Sequence, residues 1–146
     1  MKYSAQNYLK NFFWYSALAA IIITAVCILL SLNCKDETIL NSNQTYMLQL
    51  VSIITLILIP IGIFNFNRIL EKVNKNNKET FDKKYKTKGA MRNGITAACV
   101  IINSAVYFLA NYESAIYCVA IGIAAHIYCY PSRKEYNNLL EGNTTK

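Results

Sequence analysis

Four stretches of this chain, Phe12 to Leu32, Met47 to Phe66, Asn93 to Tyr112 and Ser114 to Ser132, run for 19 to 21 residues without a single Asp, Glu, Lys or Arg. A helix rises about 1.5 Å per residue, so about 20 apolar residues cross a hydrocarbon core of about 30 Å. Few folds accept that pattern. With 54% apolar and 16% charged residues, the chain could pass for soluble on averages, but a soluble four-helix bundle places charge on the outer face of every helix. These blocks have none. Trp14, Tyr15, Tyr46, Tyr112 and Tyr130 near their ends match the aromatic belts of membrane spans. The expected fold is an all-α polytopic membrane protein, a single membrane domain over 1–146, with spans at about 12–32, 47–66, 91–110 and 114–130.

Charge sets the expected orientation. Fourteen of the fifteen Lys and Arg residues lie in the N-terminal tail, in the stretch between the second and third blocks, or in the C-terminal tail, and only Lys35 lies elsewhere. Cytoplasmic segments carry the excess of Lys and Arg, so both termini are expected on the cytoplasmic side of a bacterial inner membrane. The net charge of +7 is then a topology signal. No aromatic-interleaved basic motif accompanies it, and nucleic acid is not an expected partner.

The first block follows Lys2 and Lys10 as a signal peptide would, and "SLNCKDE" (Ser31 to Glu37) has the look of a lipoprotein cleavage site at Cys34. The apolar run is too long for a signal core, and Asn33 is a poor residue before the cut. It reads as a retained helix.

Two antiparallel hairpins are expected. The polar segment Asn33 to Tyr46 joins the first pair outside, and "NYES" (Asn111 to Ser114) joins the second so tightly that its helices must be neighbours. Between them, "NRILEKVNKNNKETFDKKYKTKG" (Asn67 to Gly89) is rich in Lys and Asn, with helix-face spacing only at Ile69, Leu70 and Val73. It is expected to prolong the second helix briefly and then run as a flexible basic linker over 67–89. Anionic headgroups are a partner for such charge, although positive-inside bias alone accounts for it.

This plan, ending in "CYPSRKEYNNLL" (Cys129 to Leu140), resembles small four-helix integral membrane proteins of Bacteroidetes-type bacteria. The resemblance rests on the tail and the general plan, and it brings no activity with it.

Small and weakly polar residues recur at steps of three or four: Ser16, Ala20, Thr24, Cys27 and Ser31; Thr96, Cys99, Asn103 and Tyr107; Cys118, Gly122, His126 and Cys129; and, in half of the second block, Gln49, Ser52 and Thr55. Such stripes let membrane helices approach and hydrogen-bond. Counting depth along the helices puts Thr24, Asn103 and Gly122 near the midplane and Cys99, Pro60 and His126 together roughly 5 to 6 Å toward the cytoplasm. Proline frees the carbonyl of Leu56 and is expected to kink the helix. His126, Asn103, Cys99, Thr96 and Pro60 are therefore the candidate intramembrane polar cluster, expected to surround a small cavity opening toward the cytoplasm.

An ionisable side chain inside a membrane is a functional hypothesis by default. Haem with two axial histidines would need two copies of a chain with one His. A metal held by Cys99, His126 and Cys129 lacks any spacing motif. Quinone-linked disulfide chemistry needs paired cysteines, and the five here show no Cys-x-x-Cys. Proton-coupled export uses an intramembrane carboxylate, and the blocks contain none. The reading left is a non-enzymatic protein without cofactor, touching membrane lipids and binding another membrane protein or itself, as an accessory subunit or an immunity-type protein. The alternative is a small homo-oligomeric transporter or channel with a path past Asn103 and His126.

Overall fold

In the computed structural model, residues 4–33, 42–73, 78–110 and 113–141 are described, and all regular structure among them is helical. Helix α1 spans Ser4–Asn33, α2 Ser42–Glu71, α3 Lys78–Ala110, α4 Ser114–Tyr128 and α5 Arg133–Glu141. Three of these, α1, α2 and α3, are long and apolar enough to cross a membrane, and α4 with α5 passes the same test only as one span bent by 63°. Of the most apolar window, only 11% is buried in α1 and 17% in α2, against 50% in α3. Trp14, Leu18, Ile21, Ile57 and Phe64 stand more than half exposed. In water such faces would be a large unpaid cost in apolar surface. In lipid they are simply solvated.

Helix α3 is the centre, since α1, α2 and α4 all pack on it and α2 also meets α4. Directions follow from side-chain pairs. Thr24 bonds Ser104 and Leu9 abuts Gly89, both at an 80-residue offset, so α1 and α3 run parallel. Thr55 meets Asn103 and Gly62 meets Ile95, so α2 opposes α3. Gly122 against Val100, with His126 against Thr96, makes α4 oppose it too. A Cβ on Gly122 would come 2.8 Å from Val100 Cγ2 and 3.6 Å from the Val100 nitrogen. Only glycine allows α3 and α4 to lie this close.

The linker expected over 67–89 is different in its described part. Helix α2 continues to Glu71, and α3 begins at Lys78, eleven residues before the expected linker ends. Phe81 and Tyr85 recur four residues apart and are fully buried, because at that spacing both face one side of the helix. They join Leu9 of α1, Phe66 and Leu70 of α2, and Tyr136 and Leu139 of α5 in a hydrophobic core at the basic end of the bundle. Aromatic edges lock it: Tyr136 stands edge-on to Tyr85 at 5.1 Å and to Phe81 at 5.7 Å. The lysines between these residues, Lys83 and Lys84, remain exposed.

The tail is structured as well. Helix α4 closes with the Cys129 amide donating to Ala125 and His126 carbonyls, and buried Pro131, which has no N–H to continue the ladder, follows. Ser132 then accepts a 3.0 Å bond from the Glu135 amide and caps α5. "SRKE" is a capping-box sequence. The turn lets α5 fold back so that the Tyr136 hydroxyl donates to Asp82 at 2.5 Å.

Candidate functional site

The small-residue stripes do face inward: Ala20, Ser31, Ser52, Thr55, Thr96, Cys99, Asn103, Gly122, His126 and Cys129 are all buried. They meet in two groups on different sides of α3.

His126 anchors the first. Its Nδ1 lies 2.8 Å from Thr96 Oγ1 on α3, and its Nε2 lies 3.4 Å from Ser16 Oγ on α1. The ring stacks on Phe13 with centroids 4.5 Å apart and planes 8° from parallel. Ser16 donates to the Phe13 carbonyl at 2.9 Å, so its oxygen is free to accept from the ring. Each ring nitrogen thus faces one hydroxyl, which suits a neutral imidazole with one donor and one acceptor nitrogen. The side chain thereby joins α1, α3 and α4 without carrying charge. Two turns further along, Thr24 and Ser104 add a hydroxyl pair at 2.8 Å.

The second group holds α2. Asn103 Nδ2 donates to Thr55 Oγ1 at 2.8 Å and to the Cys99 carbonyl at 2.7 Å, while Cys99 Sγ donates to the Thr55 carbonyl at 3.2 Å. Asn103 Oδ1 has no hydrogen-bond partner. The five expected residues are thus divided. His126 bonds Thr96, Asn103 bonds the Cys99 backbone, and His126 faces neither Asn103 nor the Leu56 carbonyl. Pro60 sits inside α2 with its side chain exposed, away from both groups. The carbonyl that takes part is that of Thr55, a full turn before the proline.

Nor is the space beside His126 a polar cavity. It is an apolar recess of about 320 Å³ between α1 and α4, walled by Trp14, Ala17, Ile21, Ile123 and Ile127. Among the described residues no three His, Cys, Asp or Glu side chains converge as a metal site would require.

Sequence reasoning missed the strongest electrostatic feature. Arg92, counted there only among the charges between the second and third blocks, is 5% exposed. Its Nη1 pairs with Glu135 of α5 at 2.5 Å, its Nη2 donates to the Cys129 carbonyl at 2.9 Å, and its guanidinium lies 3.9 Å from the centre of the Phe66 ring. One side chain therefore links α2, α3, the end of α4 and α5. A signal was present: Arg92 continues the Phe81, Tyr85, Gly89 face by the next three residues.

Compared with protein-family models, with curated proteins and with solved structures, the chain matches none.

Proposed function

We propose that this chain is a non-enzymatic, four-span protein of the bacterial inner membrane, with both termini cytoplasmic, that acts by binding another membrane protein as an accessory or immunity-type subunit. The observation that carries the reading is the division of labour between buried and exposed surface. His126, Thr96, Ser16, Thr24, Ser104, Thr55 and Cys99 bond to one another across helix interfaces, whereas α1 and α2 leave most of their apolar length uncovered. Polar groups spent on joining helices are poor material for a translocation path, and long uncovered helices are good material for lateral association. Orientation rests on the charge count: the start of α1, the end of α2, the start of α3 and α5 gather at one end, and that end holds every Lys and Arg among the described residues. For the fourth span, α4 alone is about 22 Å long, so Cys129 to Pro131 complete the crossing before α5 turns aside.

A homo-oligomeric pore is the competing reading, and one experiment separates the two. Crosslinking in native membranes, followed by purification in mild detergent, should recover one different membrane protein in fixed stoichiometry. Recovery of self-crosslinked chains alone would favour the pore. Orientation is checked by a membrane-impermeant maleimide on a Lys83→Cys variant lacking other cysteines, which should react only after the membrane is opened.

A further inference from the structure

At the basic end, an open cavity of about 330 Å³ lies among α2, α3, the end of α4 and α5, lined by Asn67, Arg92, Tyr128, Ser132, Lys134 and Glu135. We propose that it is a binding site for the phosphate headgroup of an anionic phospholipid. This goes beyond the partner-binding reading and does not depend on it.

Depth is the first argument. Asn67 directly follows the uncharged block of α2, Arg92 directly precedes that of α3, and Ser132 ends that of α4. Two helices and the turn between α4 and α5 therefore bring these residues to one level, the boundary between hydrocarbon and water, where headgroups lie. The wall is mixed in the way a lipid needs. Ile63 and Leu139 contribute apolar surface beside the amide and hydroxyl groups, and Tyr128 is exposed at the rim, as interfacial tyrosines are.

Charge is the second argument. Arg92 and Glu135 neutralise each other at 2.5 Å, which leaves Lys134 and the N-terminal end of α5 as the net positive features facing the cavity. Arg92 Nε is buried with no hydrogen-bond partner. That N–H is closed off from the cavity by its own burial, so the positive features that a phosphate in the cavity meets are Lys134 and the N-terminal end of α5. Glu135 also limits what enters. A singly charged phosphodiester fits beside that carboxylate better than a dianionic phosphomonoester, which points to a lipid and away from a soluble phosphate metabolite.

The test is thermal unfolding of the purified full chain in mild detergent, titrated with short-chain phosphatidylglycerol, short-chain phosphatidylcholine or inorganic phosphate. Phosphatidylglycerol should raise the midpoint at concentrations about fivefold lower than phosphatidylcholine, the advantage expected from one basic residue near the headgroup. Lys134→Gln should abolish that preference, whereas Asn67→Ala, which lies on α2 and leaves α5 untouched, should raise the concentrations of both lipids needed for the shift and keep the preference. Lys83→Gln with Lys84→Gln, which removes two charges outside the cavity, should preserve it. Equal response to both lipids overturns the proposal. Loss of the preference in the Lys83, Lys84 variant as well would show diffuse surface attraction in place of a site. Inorganic phosphate acting as well as phosphatidylglycerol would make this a soluble-anion site and equally overturn it.

Discussion

Thr24 and Ser104 face each other hydroxyl to hydroxyl at 2.8 Å across the α1–α3 interface, and Ser104 also donates to the Val100 carbonyl at 2.8 Å. Since Ser104 has one proton, Thr24 must be the donor between the two. The pair fixes both the parallel direction of these helices and their register.

That register can be trapped covalently. In a chain whose native cysteines are replaced, Thr24→Cys with Ser104→Cys should form a disulfide on mild oxidation, because the side-chain ends already lie within bonding reach. Ala20→Cys with Ser104→Cys, one turn out of register, should not. Faster migration on a non-reducing gel for the second pair and not the first would show that the register is wrong.

Arg92 and Glu135 should respond unequally to mutation. Glu135→Gln leaves a guanidinium that is 95% buried without its counter-charge, whereas the double change Arg92→Met with Glu135→Leu removes both charges into an apolar setting. The single variant should lose about 3 kcal/mol and the double variant much less. Unfolding midpoints in detergent measure the order of the two, and a double variant weaker than the single one would mean that the pair is net stabilising here.

His126 is expected to be structural. His126→Leu removes both of its bonds, yet Thr96 keeps an acceptor in the Asn93 carbonyl at 3.0 Å, so the loss should be about 1 kcal/mol. A double-mutant cycle with Thr96→Val should return a coupling of about 0.6 kcal/mol, ordinary for a membrane hydrogen bond. The decisive companion is His126→Asn: a variant as stable as wild type that has lost a proton flux in liposomes, or a bound metal, would reverse the interpretation.

Tyr85 gives the opposite sign. Its ring is fully buried and its hydroxyl has no hydrogen-bond partner, and burial, reinforced by the negative charge of Glu135, pushes its ionisation well above the usual range. Removing an unsatisfied buried hydroxyl while keeping the ring should stabilise, so Tyr85→Phe is expected to raise stability by about 1 kcal/mol. A lower unfolding midpoint would reveal a bridging water or partner that the hydroxyl serves.

What could be read in advance follows from how strongly lipid constrains sequence. A helix facing hydrocarbon must exclude charge along its whole length, so the apolar character of α1, α2 and α3 was plain. The inward faces were legible too, since Ser16, Thr24, Thr96, Asn103 and His126 keep helical spacing. Which neighbour each would meet was not, because that depends on how α3 is rotated between α1 and α4 on one side and α2 on the other. Thr96 turned toward His126 and Asn103 toward Thr55, splitting an expected single cluster. Phe81 and Tyr85 were overlooked for a different reason. Lysine density suggests a solvated segment, while two aromatic residues four apart, followed by a glycine four later that admits Leu9 against the helix, suffice to hold one face.

The unbroken run of α3 has a mechanical consequence. Its 33 residues make a strut about 50 Å long, of which the first fifteen residues, 78–92, stand outside the apolar block and the rest within it. A flexible linker would have absorbed any pull on the lysine-bearing segment. A continuous rod cannot: a sideways load at Lys83 is carried along the helix into the apolar stretch, where Val100 lies against Gly122.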